Sequence, residues 1–498
     1  AYQIKGAANY AAKQTIRIGM NRRAVNPSNL LGKSGYKPFW YSLDGIIDEV
    51  KIYNKALTRD DFKSVVSSQK PEGSPDLPER KLPVVNQDRA TFGAYYTKLK
   101  YYKEWDQLWP VESDPDIVVT FKDSPVKLIF WRGTRYSPAW VTDNNLWMTD
   151  QSIESWNDTD GCIEHMQDRH CRYSHVRLIE DHAARKVIHW RYAPVSAYDG
   201  LWNEHAKTGW GVWIDEYYYV YPDATAIRKV CWNTKALGQP VQFQETMPLT
   251  GPGQTRGDIM ETDYLAVANA KGETLQLRYR KSPKAISKEQ IPAAPNIQQH
   301  NFKSAYDPFI IFEPGNKMNY IMDRDVKLLD LPGSCNHWPV GQPNCDGRGA
   351  QASDRPASFL GFPISDPVVH DEPDGRSFLN SIYGMTNMSI GDLVQLSGSW
   401  STPPAMKVTS KRGSIESTYD RSQKAYVVRS QTGSVNGIQA SIDSSAASPL
   451  FNPALVIEGW GESPPEISMN GKKLKAGKDF TFGYGKNINR THLIVWIK

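Results

Sequence analysis

The stretch Trp210-Gly-Val-Trp-Ile-Asp215-Glu-Tyr217-Tyr218-Tyr219-Val-Tyr221-Pro-Asp223-Ala-Thr-Ala-Ile-Arg228-Lys-Val230 sets two runs of β-branched and aromatic residues around a Pro-Asp turn. Such runs favour a pleated sheet, and Pro followed by Asp favours a tight reversal, so the stretch reads as a hairpin. Successive side chains on a strand point to opposite faces, and three consecutive tyrosines must therefore place at least one ring on each. Arg228 returns nearly opposite Tyr218. A phenol beside a guanidinium is a candidate proton donor beside a carboxylate anchor. Ordinary aromatic packing accounts for the tyrosines equally well.

Strand pairs of this kind recur. They run Val126 to Trp131 before Gly133, Val176 to Ile179 before Asp181-His182, Tyr264 to Ala268 before Lys271-Gly272, and Phe309 to Phe312 before Pro314-Gly315. The turns lie about 40 to 50 residues apart, the spacing at which four-stranded propeller blades repeat. The expected fold is all-β, a β-propeller of seven blades, with a large sandwich of regularly spaced strands as the competing architecture. Composition agrees with sheets and turns: 40% hydrophobic residues, 16 Trp, 25 Tyr, 36 Gly and 33 Pro. At 498 residues the chain exceeds one ordinary core and divides into two or three domains. No run of about 18 apolar residues occurs, so no membrane span is expected. A net charge of +5 without a Lys/Arg block argues against nucleic acid as partner. The diffuse positive excess suits a polyanion.

Near the N-terminus, Tyr41-Ser-Leu-Asp-Gly-Ile-Ile-Asp-Glu-Val-Lys-Ile-Tyr53-Asn-Lys-Ala-Leu57 alternates from Ile46 to Tyr53, and Thr58 with Asp60 and Asp61 reads as the cap of a short helix. This segment resembles the closing strands of a laminin-G-like, concanavalin-type jelly roll. The resemblance covers residues 1–66 and implies the C-terminal part of such a domain, its beginning lying in a longer precursor. Residues 67–86 carry four prolines and read as an extended linker. The main domain is expected over 87–498, with 397–498 forming either its final blades or a small β-sandwich.

Five of the ten histidines fall between Glu164 and Tyr192. Within that stretch His175, Arg177 and Ile179 alternate, and so do Val187, His189 and Arg191, which puts polar side chains on one face of a second hairpin. A sheet face with several His and Arg lines a cleft more readily than a core. A solvated, charge-paired hairpin is the alternative. Cys162, His165, His170 and Cys171 are possible zinc ligands in an unfamiliar spacing. The five cysteines are an odd number, so disulfides alone cannot absorb them. Cys335, His337 and Cys345 fall within eleven residues, a loop that closes as a disulfide or ligates a metal.

Residues 87–498 resemble the ulvan-lyase type of polysaccharide lyase with a propeller fold. The likeness is carried by Cys171-Arg-Tyr-Ser-His175-Val-Arg177 through His189-Trp-Arg-Tyr-Ala-Pro194, by Asp215-Glu-Tyr-Tyr-Tyr-Val-Tyr-Pro-Asp223, and by Asn336-His-Trp-Pro-Val340 with Asp346-Gly-Arg348. The resemblance implies β-elimination at a 4-O-linked uronate of a sulfated polysaccharide. It implies two histidines about twenty residues apart, matched by His170 and His189, and a tyrosine and arginine matched by Tyr218 and Arg228, with Tyr264 and Arg280 as a second choice. His170 and Tyr218 share the base and acid roles, His189 orients that pair, and Arg228 neutralises the carboxylate. Arg132, Arg135, Tyr136 and Trp190, with Tyr264 and Arg280, are expected to bind substrate. A structural metal, zinc ahead of calcium, is implied at Cys335, His337 and Cys345, with no cofactor for catalysis. A monomer that is secreted, periplasmic or on a bacterial cell surface and acts on an anionic sulfated polysaccharide is the expectation. A glycan-binding propeller without activity and a glycoside hydrolase stand as alternatives. His182, placed in a hairpin turn, is expected to be exposed and tolerant.

Overall fold

The computed structural model describes residues 50–51, 53–61, 63, 81–85, 91–100, 115–157, 160–168, 171–196, 200–237, 240, 243–279, 286–318, 357–358, 364–410, 414–430, 435, 437–486 and 490–498. Residues 1–49, which carry most of the jelly-roll resemblance, lie outside this set, as do His170, Arg280, Cys335, His337 and Cys345. At Thr58 the expected cap is present: its N–H and its hydroxyl both donate to Asp61 Oδ2 at 2.7 Å.

The described chain is mostly strand, and the all-β expectation holds. Two wide sheets dominate. A seven-stranded sheet orders Gly93–Thr97, Asp116–Thr120, Lys127–Phe130, Pro138–Val141, Trp147–Gln151, Glu245–Thr250 and Ala357–Ser358. A ten-stranded sheet runs from Thr274–Leu277 through Met260–Ala268, Ile297–Phe302, Asp307–Phe312, Ser377–Thr386, Thr225–Trp232, Ile214–Val220 and Arg185–Tyr192 to the edge strand Ser174–His182. The short strand His370–Asp371 also pairs with Ser377–Thr386. The sheets face each other across one core. Phe130 meets Tyr218 edge-on at 5.1 Å and Trp140 meets Tyr383 at 6.0 Å, within a cluster that includes Ile117, Met148, Trp190, Val230 and Leu265.

The seven-stranded sheet is covered on its second face too, which is why a strand such as Asp116–Thr120 is buried at every position, and the ten-stranded sheet is covered over part of its second face. Leu82, Val85 and Leu99 pack with Val118, Ile129 and Trp147 on the back of the seven-stranded sheet, so the end of the expected linker is part of this core. On the back of the ten-stranded sheet lie the helix Ile390–Ser401 and a C-terminal sheet. The helix starts at Ser389, whose hydroxyl accepts from the Asp392 N–H while the Ser389 N–H donates back to Asp392 Oδ2, a reciprocal cap that satisfies two terminal donors. The C-terminal sheet orders Ile415–Asp420, Ala425–Ser430, Ala454–Glu458, Thr491–Ile497 and Phe480–Lys486. One of its faces joins Ile227, Phe309 and Ile382 of the large sheet, and the other closes a separate core around Val428, Ile457 and Leu493.

Four-stranded blades are not found among the described residues. The regularly spaced turns are the hairpin ends of two wide sheets, and Ser377–Thr386 inserts between Thr225–Trp232 and Asp307–Phe312 from far along the chain. Turn spacing reports hairpin length, whereas the way hairpins join depends on which edges find each other.

Candidate functional site

The hairpin register is the one the sequence predicts: Tyr218 lies opposite Arg228. Parity then divides the chemistry. In Ile214–Val220 and Thr225–Trp232 the even-numbered residues Ile214, Tyr218, Val220, Ala226, Val230 and Trp232 belong to the core between the sheets. Glu216 and Arg228 share that parity. Arg228 Nε donates to Glu216 Oε2 at 2.8 Å, and its Nη1 pairs with Asp150 from the opposing sheet. Tyr218 and Tyr192 donate to the same Glu216 carboxylate. Burial disfavours the charged form of Tyr218 and keeps its phenol protonated, its pKa well above the ordinary value. Arg228 and Tyr218 are both fully buried, so the pairing is real but a polymer cannot reach it. Their assignment as carboxylate anchor and proton donor is corrected on this ground: Arg228 neutralises buried carboxylates inside the sandwich, and Tyr218 donates a hydrogen bond to one of them.

The other expected binding residues are also interior. Arg132, Arg135, Tyr136, Trp190 and Tyr264 are all buried. Arg135 Nε donates to the Asp168 carbonyl at 3.3 Å and Nη1 to the Gly133 carbonyl at 3.2 Å. Trp190 Nε1 donates to Ser174 Oγ at 2.8 Å, and Tyr264 stacks on Tyr279 at 4.2 Å. Arg132 sits in the turn after Trp131, where its N–H donates to Asp116 Oδ1. Gly133 is required there, since a Cβ would stand 2.3 Å from the Trp131 ring. Arg132, Arg135, Trp190 and Tyr264 organise the core and do not form an open subsite, whereas Tyr136, though buried, contributes to the wall of a cleft beside the His-rich hairpin. His165, one of the alternative zinc ligands, lies buried against Trp190 and Tyr192. Burial, with Arg135 and Arg228 nearby, holds its imidazole well below the usual range.

The odd-numbered face is different. The C-terminal sheet covers only the part of the large sheet around Tyr219, Ile227 and Ile382. Beside that cover, strand pairing lines up two polar rows. One contains His175, Arg191, Asp215, Cys231, Phe378 and His370, and the other Arg177, His189, Tyr217, Lys229 and Asn380. His175, Arg177, His189 and Arg191 line a cleft of about 440 Å³ together with Pro115, Tyr136 and Val176. The alternation of the His-rich hairpin thus carries through to a cleft wall.

His189 is the centre of this face. Its Nδ1 stands 3.0 Å from Arg177 Nη2 and its Nε2 stands 2.7 Å from Asp215 Oδ1. A guanidinium only donates, so Nδ1 is the acceptor and Nε2–H donates to the carboxylate. The Tyr217 ring stacks on the imidazole at 4.7 Å and 10°. Arg191 and Arg376 approach Asp215 at 3.6 and 3.5 Å with 44% and 35% of their side chains exposed. Burial pulls the Asp215 carboxyl up, but the His189 hydrogen bond and the Arg191 and Arg376 charges outweigh it and hold the group below its ordinary value. Partial burial, then the Asp215 charge, push the Tyr217 phenol up, so it keeps its proton. Among the described residues its hydroxyl has no hydrogen-bond partner.

Sequence reading therefore located His189 and placed Arg177 and Arg191 on its polar face, but assigned no role to Asp215, Tyr217 or Arg376. The available signal was the apolar set Ile214, Val220, Ala226, Val230 and Trp232, which marks the even face as core and the odd face as open. The structure corrects one further expectation. His182 is not exposed: its ring packs on Gly483 of the C-terminal sheet, where a Cβ would stand 2.2 Å from His182 Cγ. Among the described residues no group of three or more His, Cys, Asp and Glu could hold a metal, and the Cys335, His337, Cys345 loop lies outside them. No described helix is long and apolar enough to cross a membrane.

No protein-family model and no curated protein matches the chain. Among solved structures, galactose 1-epimerase from Lactobacillus acidophilus NCFM aligns with 59% of this chain and 99% of its own at 7% identity, with a TM-score of 0.24. That likeness is too slight to argue from.

Proposed function

We propose that the chain is a polysaccharide lyase acting on a uronate-containing, sulfated polymer of the ulvan type, with its site on the open face around His189. The single observation that carries the reading is the constellation itself. A buried imidazole is oriented by a carboxylate, a protonated phenol stacks on it, and Arg177, Arg191 and Arg376 surround the pair. The reading does not depend on a propeller.

Removing the proton α to a uronate carboxylate builds charge on an anion, which requires that the carboxylate be neutralised. The partly exposed guanidiniums of Arg191 and Arg376 suit that task, and bidentate pairing with a carboxylate or sulfate is what Arg does best. Arg177 occupies the His189 lone pair in the free protein, and a substrate anion competes for it and frees Nδ1. His189 then takes the C5 proton, the C5–H electrons form the C4=C5 double bond, and the C4–O4 bond breaks. Tyr217, which holds its proton, gives it to the departing O4. Asp215 orients the imidazole and balances the positive charge it gains. Such polymers are met outside the cell, and the reading implies secretion.

The test is the ultraviolet absorbance of the unsaturated uronate on adding ulvan to wild-type protein and to His189→Asn. Absorbance that rises with wild type and not with the variant supports the assignment. Retention of the polymer without new absorbance leaves a glycan-binding protein, and new reducing ends without absorbance make it a hydrolase.

A further inference from the structure

The polar rows do not end at Asp215. Trp213 immediately precedes the strand Ile214–Val220 and has the same odd parity as Asp215 and Tyr217, at the end away from Tyr219 and the C-terminal sheet. The Arg191 guanidinium, 3.6 Å from Asp215, lies over the Trp213 ring at 5.4 Å. Trp210 meets Trp213 edge-on at 6.1 Å and 67° and is itself 62% exposed. The paired indoles place an aromatic surface next to the Arg191 guanidinium and Asp215.

The loop that carries Trp210 is tied down at both ends and at its tip. The Trp202 N–H donates to the Pro194 carbonyl at 3.0 Å, Trp202 Nε1 donates to the Leu237 carbonyl at 3.3 Å, and Asn203 Nδ2 donates to the Ala236 carbonyl at 2.6 Å. At the tip the His205 N–H donates to the Trp210 carbonyl at 2.8 Å across a turn in which Gly209 has φ +67°. The ring is thus presented by an ordered turn.

From this continuity we infer that Trp210 and Trp213, with Arg191, form a stacking subsite for a pyranose ring of the same anionic chain whose uronate reaches His189. The inference rests on the lyase reading for the identity of the chain. The C–H face of a sugar ring is apolar and matches an indole face, while Arg191 holds a sulfate or carboxylate at the ring's edge. Aromatic stacking of this kind tolerates varied substituents, so the subsite sets affinity more than sequence preference.

Ulvan is the probe, used in gel retardation and tryptophan fluorescence alongside the absorbance assay. Trp210→Ala is expected to weaken retardation and raise KM about tenfold, with the larger part of any activity loss in KM, and Trp210→Phe to restore most of it. Tryptophan emission should change on adding ulvan to His189→Asn and change less in the His189→Asn, Trp210→Ala double variant. If wild type makes unsaturated product and Trp210→Ala has unchanged KM and retardation, the subsite is overturned and the lyase reading stands. If no product forms but retardation occurs and falls in Trp210→Ala, the subsite stands and the lyase reading fails. Absence of both product and retardation overturns the two together.

Discussion

Tyr217 and Tyr218 are neighbours on one strand, with one arginine-rich surrounding each, yet they sit in different solvents. Tyr218 points between the two sheets, where its hydroxyl and Arg228 both address Glu216. Tyr217 points out beside the C-terminal sheet, stacked on His189, with its hydroxyl at an open face. The inner cluster has fixed partners for every charge it carries. In the outer cluster, Arg177 donates to His189 Nδ1, and Arg191 and Arg376 are partly exposed. The lesson is that a charge-paired constellation is no sign of a site until solvent reaches it, since the interior demands such pairing for its own stability.

The strongest way to break the comparison is Arg228→Ala. Removing the guanidinium leaves Glu216 and Asp150 buried without their counter-charge, and breaking a buried pair costs about 3–5 kcal/mol. Chemical denaturation should show that loss. Normal stability with abolished cleavage would return Arg228 to substrate chemistry.

Glu180 gives a second handle, on the covered part of the outer face. Burial raises its carboxyl, but hydrogen bonds from His182 and Arg185 and the Arg185 charge prevail and hold it at about 2, against 4.5 ordinarily. Because the folded-state value is depressed, this stabilisation is complete above about 4.5 and is lost as pH falls toward 2. The shift corresponds to about 3 kcal/mol. Denaturation midpoints measured across that window should fall more steeply for wild type than for Glu180→Gln, and parallel curves would refute the pairing.

His189→Asn should lower turnover about a hundredfold or more, the worth of a positioned acid or base, with an unchanged melting curve. His182→Ala should do the reverse, lowering stability by loosening the contact with Gly483 while turnover persists. Were the two variants to behave alike, the cleft would be no more functional than the docked turn.

The smallest effect expected is on affinity. Raising salt should weaken ulvan binding to wild type several-fold, because the Debye length shrinks from about 10 Å at 0.1 M to about 3 Å at 1 M. Binding insensitive to salt would point to a neutral glycan.

Much of this was legible in the chain. The alternation of His175 with Arg177 and of His189 with Arg191 marks a polar face, and that face lines a cleft. The turn at Pro222-Asp223 fixes the register that sets Tyr218 opposite Arg228. Even the burial of that pair was encoded, since Ile214, Val220, Val230 and Trp232 share its parity. Glu180 was not readable in this way. Simple alternation from His175, Arg177 and Ile179 sends it to the opposite face, but a register shift between Leu178 and Glu180 pairs Glu180 with Val187 and leaves Ile179 half-exposed. One extra residue reverses parity, and a bulge leaves no reliable mark in composition.

By itself, then, the sequence determined the strands, their turns, the register of the hairpin around Pro222-Asp223 and the two-faced character of each hairpin, because these follow from side-chain period and local turn chemistry over a few residues. Only the tertiary structure decided that the hairpins join into two wide sheets, and that Ser377–Thr386 enters between Thr225–Trp232 and Asp307–Phe312. It also decided which outer half is sealed by the helix and C-terminal sheet and which half leaves Arg191, Arg376 and Tyr217 partly exposed around the buried His189. Those outcomes depend on apolar faces finding one another across hundreds of residues, and hydrophobic burial is non-directional: it rewards any partner that excludes water, so the pattern on one strand cannot name which partner that will be.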